Sequence, residues 1–441
     1  MKKAILLLFF SALFLSVTNG QKLTDIYKNG PVKLIPDKTY GSGNNWESLF
    51  NLYYDTLKIN EREREQYKKI IVAPDGSVFM SHKNRHEIWK FGPDGKFLKR
   101  FGSQGGKLSQ FQSVPSIQPV IDGKYIFTSD VNGRLKFFDL EGNYFKSISL
   151  KYMLGAFQPI DNGELLLEGI VMWDGEKPGS KFGSYKWRHI IVKLNIYAET
   201  EKVVFDIFEN PVIKFYKTNN PDSLQFFPIS PEADKIYLPD RLVFSKPVFT
   251  ILKDGQFLCS DTRTGIVKVL DKNGKQEYNF NLDIKPVAIT LKDAGDNYNR
   301  MNQDLIKRME EVKNMTDITQ ERKNSIIRIY KMDVGNIERY KDLNNYYPYL
   351  PYFANIIPDD EGNLLIFEFT KKDEVKSNIF NVIACDKTGK SLARTSFVCD
   401  DYDLSFSEST FVISKGFVYA IAKLKNFKGM PLRLVRFKMS N

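Results

Sequence analysis

The chain has 441 residues, 42% of them hydrophobic and 27% charged, which excludes both a disordered chain and a membrane-embedded body. Three cysteines exclude a disulfide-stapled scaffold, and three histidines leave little material for a histidine-built metal site. Lys and Arg outnumber Asp and Glu by 64 to 53, a net charge of +11, while 34 Phe and 22 Tyr suit a sheet-rich chain.

Lys2 and Lys3 precede an apolar run from Ala4 to Val17, and Thr18-Asn19-Gly20 follows it. A positive start, a short apolar stretch and small residues at the end read as a secretory leader over 1–20. The run is shorter than the roughly 20 residues of a membrane-spanning helix. No cysteine stands near the cleavage position, so a lipoprotein anchor is not expected. Loss of Lys2 and Lys3 lowers the net charge from +11 to +9. The expected product is exported, soluble and not membrane-spanning, in the periplasm or outside the cell.

Residues 21–441 read as one domain. Val32-Lys33-Leu34-Ile35 is a candidate strand standing ahead of everything that repeats. The first repeating stretch runs Ile70-Ile71-Val72-Ala73-Pro74-Asp75-Gly76, Ser77-Val78-Phe79-Met80, Ile88-Trp89-Lys90-Phe91 and Asp94-Gly95. The second has Asp122-Gly123, Tyr125-Ile126-Phe127, Asp130, Leu135-Lys136-Phe137-Phe138 and Glu141-Gly142. A third has Asp254-Gly255, Phe257-Leu258, Asp261, Ile266-Val267-Lys268-Val269 and Asn273-Gly274. In each, the two turn glycines are 19 residues apart, at 76 and 95, 123 and 142, 255 and 274. Asp-Gly and Asn-Gly pairs tolerate the positive φ of tight hairpins, and the runs between them are strand-like. Each stretch therefore predicts a four-stranded antiparallel meander, A to D, and meanders that bury both faces must stack radially.

Weaker copies start at Asp161-Asn162-Gly163, Asp360-Glu361-Gly362 and Lys415-Gly416, and the last stops one strand short at Asn441. The strand at 32–35 could supply that missing outer strand and close a ring, giving a count of six units. Between the fourth and fifth units, about 291–345, the pattern turns helical: Met301, Leu305, Met309 and Val312 share a helix face. Asp317 and Gln320 form a candidate capping pair for a second helix running towards Tyr330.

The stretch Phe101-Gly102, Gln110-Phe111, Pro115, Asp122-Gly123, Asp130, Gly133-Arg134, Phe137 and Gly142 resembles an NHL repeat. The mature chain resembles the six-bladed NHL- or TolB-like β-propellers exported by Bacteroidetes-type bacteria, many of unassigned function. His82 stands where Asp130 and Asp261 stand in the other good units, a departure from the pattern. The resemblance implies an all-β, six-bladed propeller with a helical insertion between blades four and five; it does not imply a function.

Strand parity puts the A–B and C–D turns at one end of the ring and the B–C and D–A connections at the other. The tight glycine turns take the first end, so the long connections 209–243 and 283–352 share the second. Trp173 to His189 reads as a long basic, aromatic loop there, with Trp173, Tyr185, Trp187 and Arg188 as anchors. Tyr346, Tyr347 and Tyr349 among prolines either stack a sugar or peptide or pack the chain back into blade five. Asp130 with Arg134 and Asp261 with Arg263 are either inter-blade ion pairs or a charged rim able to hold a polar ligand. His82, His86 and His189 are the weak candidates for a metal at the channel mouth, as some NHL-fold lyases have.

No nucleophile elbow, phosphate-binding glycine loop or His-Glu-x-x-His occurs. Lysines are spread without a basic cluster, which argues against nucleic acid. The leading expectation is a non-catalytic exported propeller, without a cofactor, binding an envelope protein or anionic glycan on its long-loop face. The alternative is a lyase or lactone hydrolase using a divalent cation in the central channel.

Overall fold

The computed structural model describes residues 22–51, 67–82, 86–112, 116–121, 123–130, 134–150, 153–159, 162–173, 184–206, 212–214, 216–217, 224–225, 247–252, 256–262, 264–271, 275–316, 318–346, 348–370, 379–404, 411–428 and 430–441. The leader at 1–20, the turn glycines Gly255 and Gly274, Arg263 and Tyr347 lie outside the described residues.

An N-terminal segment holds α1 (Leu23–Lys28), β1 (Val32–Pro36) and α2 (Trp46–Asn51). The first sheet follows, with β2 (Tyr67–Val72), β3 (Val78–His82), β4 (Glu87–Phe91) and β5 (Phe97–Phe101) in sequential antiparallel order. The second has β6 (Ser116–Ile121), β7 (Tyr125–Asp130), β8 (Arg134–Asp139) and β9 (Tyr144–Ser149). The third has β10 (Met153–Pro159), β11 (Glu164–Trp173), β12 (Ser184–Asn195) and β13 (Thr200–Asp206), with β14 (Val212–Lys214) added to β12. A small pair, β15 (Tyr216–Lys217) and β16 (Leu224–Gln225), precedes the fourth sheet. That sheet has β17 (Pro247–Ile251), β18 (Phe257–Asp261), β19 (Ile266–Leu270) and β20 (Gln276–Asn281).

Two helices, α3 (Leu291–Asn314) and α4 (Gln320–Ile337), then separate β20 from the last sheet. This sheet is nine-stranded, where separate four-stranded units were expected. It contains β21 (Phe353–Pro358), β22 (Leu364–Glu368), β23 (Ile379–Cys385), β24 (Ser391–Val398), β25 (Tyr402–Asp403), β26 (Phe411–Ser414), β27 (Phe417–Leu424) and β28 (Leu432–Ser440), plus β1. The fusion is made by β1, which pairs antiparallel with β28 (Lys33 opposite Ser440) and parallel with β24 (Val32 opposite Phe397).

The sheets form a β-propeller because each strand of a meander has two faces to bury. Alternate residues of one strand point to opposite faces. On β3, Val78 and Met80 enter a cluster with Tyr419, Ile421 and Leu434 of the last sheet. The residue between them, Phe79, enters a cluster with Ile126 and Phe138 of the second sheet. On β22, Leu364 and Ile366 face Val267 and Val269 of the fourth sheet, while Leu365 and Phe367 face Phe411 and Val418. Wholly apolar strand runs are the sequence signature of strands covered on both sides. First strands lie side by side in the order β26, β2, β6, β10, β17, β21, and one cluster joins Ile357 of β21 to Phe411 and Ile413 of β26.

Turn glycines do two jobs. Gly142 (φ +77°) and Gly389 (φ +86°) have a backbone conformation that a side chain strains, and a Cβ there would strike Phe101 of β5 and Phe280 of β20 respectively. Each turn thus seats against an aromatic ring of the preceding sheet's last strand, so glycine serves both conformation and close approach. Lys90 makes a related contact between sheets, 2.7 Å from Glu141.

Thr290 caps α3 in a reciprocal capping box with Asp293. The cap of α4 is Thr319, whose hydroxyl accepts from the Arg322 N–H at 3.3 Å; of the expected pair, Asp317 lies outside the described residues. Gln320 is the first residue of the helix, one place after the cap, and so is not in the third-residue position that a capping partner takes. Met301 and Leu305 pack on a cluster of Ala294, Ile337, Tyr340 and Tyr346, and Val312 is buried. The three cysteines are buried and not joined in disulfides.

Candidate functional site

By connectivity, the β11–β12 connection, the β13–β17 segment and the α3–α4 segment all leave from one end of the strands. The opposite end carries the turns at Gly76, Gly95, Gly123, Gly142, Gly362, Gly389 and Gly416, all of positive φ.

Trp173 to His189 is not a loop along its whole length. Trp173 stands opposite Lys186, Met172 opposite Trp187, Val171 opposite Arg188 and Ile170 opposite His189. Only 174–183, outside the described residues, connects them. Alternation of aromatic and basic residues over 184–189 has the period of a strand, and it extends the β11–β12 ladder instead of ending it. Tyr185 lies opposite Ile213 of β14, which makes the extension three strands wide.

Tyr346 is 2% exposed. Its hydroxyl donates to the Tyr340 carbonyl at 2.7 Å and accepts from Asn297 Nδ2 at 3.1 Å. Burial pushes this phenol up to about 12. Tyr346 therefore ties the helical segment together and does not offer its ring to a partner. Tyr349 is exposed, and its backbone bridges Ala288.

His82 ends β3 opposite Glu87, His86 follows at φ +54°, and His189 belongs to the third sheet. Among the described residues, no group of three His, Cys, Asp or Glu is arranged to hold a metal. Asp130 ends β7 opposite Arg134, and Asp261 ends β18 opposite Pro247. A fourth member of this series, Glu368, ends β22 and was missed. Arg394 donates to it at 2.9 Å and reaches Asp283 Oδ2 at 3.3 Å, an inter-sheet ion-pair chain. Its interval from Gly362 matches that of His82 from Gly76 and of Asp261 from Gly255, a signal the sequence does carry.

A cleft of about 430 Å³, also missed, lies where the N-terminal segment meets the last sheet; Asp37, Trp46, Asp400, Asp401, Tyr402 and Arg433 line it. Asp37 anchors one wall. Its carboxylate accepts from the Thr39 N–H and hydroxyl, at 3.0 and 2.7 Å, and from Arg436 at 2.6 Å. Arg436 in turn lies over the rings of Tyr40 and Phe417. The Thr39 bonds, and then Arg436, hold the Asp37 carboxyl down to about 2.

A depressed folded pKa gives stability that is present above the unfolded value of 3.8 and lost as pH falls through the folded one. Asp37→Asn should therefore cost about 1–2 kcal/mol at pH 7, allowing for partial solvent screening. The gap to the parent protein should close between about pH 4 and pH 2, which urea titrations at stepped pH would record; a gap unchanged across that range would refute the assignment.

Arg433 forms the other wall. Its Nη1 donates to the Met430 and Leu432 carbonyls, both at 2.6 Å, and its guanidinium lies 4.9 Å from the Phe427 ring and 6.0 Å from Trp46. Burial lowers its pKa. Burial also raises the Tyr402 phenol, with Arg433 opposing and Asp401 adding to the effect. Tyr402 thus lines the cleft with a cation and a carboxylate both near it.

Among the described residues no helix is long and apolar enough to cross a membrane. No family model matches the chain, and no curated protein matches it. Among solved structures, it is similar to a member of the DUF4221 family from Bacteroides vulgatus ATCC 8482 at 12% identity and a TM-score of 0.46, over 94% of this chain and 100% of that one. A candidate exported protein from Bacteroides fragilis NCTC 9343 is similar at 11% identity and a TM-score of 0.40, over 81% of this chain and 80% of that one. Virginiamycin B lyase from Staphylococcus aureus is similar at 9% identity and a TM-score of 0.36, over 87% of this chain and 98% of that one.

Proposed function

We propose that the chain is an exported six-bladed β-propeller of the NHL or TolB kind, and that it binds an envelope protein or anionic glycan, without catalysis, at its long-connection end. The count of six is supported by the six first strands that lie side by side, with β1 supplying the outer strand of the last blade. The asymmetry of the two ends carries the functional reading: glycine turns close one, while the β11–β12 extension and the α3–α4 segment build up the other. Long connections with their own secondary structure are where propellers and barrels place recognition. The net charge left after leader removal favours an acidic partner.

The reading is tested with native cell envelope as the source and two baits: the mature chain, and a variant in which residues 291–346 are replaced by a Gly-Ser linker. A specific partner should be retained by the first and reduced at least about tenfold by the second, provided the variant still melts cooperatively. Equal capture by both, with crosslinks mapping to the glycine-turn end, would sink the proposal.

A second reading keeps a lyase or lactone hydrolase with a cation at the channel mouth. What favours it is the recurrence of polar residues, His82, Asp130, Asp261 and Glu368, at the ends of second strands. Elemental analysis of protein purified without chelator decides between the two, since a stoichiometric divalent cation belongs only to the second.

A further inference from the structure

Three charged side chains that line the cleft between the N-terminal segment and the last sheet, Arg433, Asp400 and Asp401, make no ion pair among the described residues. We propose that the cleft is a binding site for a small zwitterion of the free amino-acid type, with the ligand carboxylate on Arg433, its ammonium beside Asp400 and Asp401, and its side chain against Trp46.

Three observations carry this. First, Arg433 is half-buried; Glu47 acts on it electrostatically, but among the described residues no carboxylate lies within ion-pair distance of it, and its hydrogen bonds go to two backbone carbonyls through one nitrogen. A guanidinium presents five donors in a fork that suits a carboxylate, so most of its capacity is left to a ligand. Fixing it through those two carbonyls and the flanking Phe427 and Trp46 rings also pre-orients it. Second, Asp400 and Asp401 are exposed and line the same cleft, and no lysine or arginine ion-pairs with either among the described residues; the Lys425 ammonium, which also lines it, donates to the Cys399 and Asp400 carbonyls at 3.1 and 2.9 Å and lies 4.0 Å from Asp403. Third, Tyr402 lines the same cleft as Arg433, Asp400 and Asp401, so both signs of charge border one cavity.

A cation and a pair of carboxylates that face the same space without neutralising each other favour a ligand carrying both signs. Its net charge would be near zero, which separates it from an anionic glycan. A cleft of about 430 Å³ has room for one amino acid with its first hydration waters. Trp46, stacked on Phe50 and Phe91 at 5.9 and 6.1 Å, offers a rigid apolar wall for the side chain, and an ammonium near Trp46 or Tyr402 gains from the ring faces. This site stands apart from the long-connection reading and does not depend on it.

The test is isothermal titration of the mature chain with a panel of free L-amino acids, each compared with its amide and its N-acetyl derivative, and with galacturonate. At least one free amino acid should saturate below about 10 mM, and blocking either its carboxylate or its ammonium should weaken it at least about tenfold. Arg433→Gln should abolish the preference for the free carboxylate over the amide. Because Arg433 also supports two carbonyls, the double variant Asp400→Asn with Asp401→Asn serves as the second arm. Those exposed positions leave the fold intact, and the change should abolish the preference for the free amine over the N-acetyl form. Binding of no amino acid, equal binding of the blocked forms, or binding of galacturonate alone would each overturn the assignment.

Discussion

Removing residues 22–36 should leave a chain that neither melts cooperatively nor elutes as a monomer. This segment buries five apolar side chains, Leu23, Ile26, Tyr27, Val32 and Leu34. At about 1.5–3 kcal/mol each, their burial amounts to roughly 7–15 kcal/mol as an upper estimate, comparable to the whole stability of an ordinary domain. The deletion also strips β1 from between β24 and β28 and exposes two unpaired strand edges, which invite association with other chains. Circular dichroism melts and size-exclusion chromatography would report both effects. A truncated monomer with a sharp transition within a few degrees of the parent's would show that β1 is an accessory strand. A synthetic peptide of residues 22–36 added to the truncated chain should restore part of the transition.

The second large effect is expected at Asp359, the residue on which that segment is moored. Its Oδ2 accepts from the Tyr27 hydroxyl at 3.0 Å and from Asn363 Nδ2 at 2.9 Å; its Oδ1 accepts from the Glu361 and Asn363 N–H groups at 2.8 and 2.9 Å. Beside it, Glu361 accepts from the Leu23 N–H at 2.8 Å, so the turn before β22 receives the first turn of α1. Asp359→Ala would leave these donors facing a buried gap, at a cost of about 3–5 kcal/mol and a fall in Tm on the order of 10 °C. Tyr27→Phe removes one donor and its acceptor contact, and should cost only about 1 kcal/mol. Comparable losses from the two variants would mean that the turn does not depend on the carboxylate.

The pH dependence at Asp359 has the opposite sign to that at Asp37. Burial pushes the Asp359 carboxyl above the usual carboxylate range, against the hydrogen bonds that favour its charged form. A raised folded pKa gives stability that is full below the unfolded value and lost as pH rises through the folded one. The stability difference between the parent protein and Asp359→Ala should therefore widen as pH falls from neutrality towards about 4.

The sheets were readable because their determinants are local. A glycine of positive φ, such as Gly123, marks its turn by composition, and a run such as Leu364-Leu365-Ile366-Phe367 is apolar throughout because both of its faces are covered. Val32 and Leu34 showed the alternation of a strand, although nothing local tells that β1 also pairs with β24 and fuses two units into one sheet. Sites were less readable. Tyr346 and Tyr349 stand three residues apart in one Tyr-Pro run, yet one is buried by α3 and the other is exposed; short-range sequence does not separate an inward from an outward tyrosine. The cleft is not legible in the sequence because Asp37 and Trp46 lie more than 350 residues from Asp400 to Arg433, with no repeat or motif linking them. Glu368 is legible in the sequence, since it stands six residues after Gly362 as His82 does after Gly76.

The pairing of β1 with β28 also sets an order of events. Synthesis delivers Lys33 long before Ser440, its partner in the ladder, with every other sheet strand in between. The intervening sheets are built from neighbouring strands and can form as they emerge. β1 has no such option and must wait for β24 and β28, with Val32 and Leu34 uncovered in the meantime. The slow step in maturation is then the meeting of β1 with β28, and a holding chaperone would find its substrate in β1.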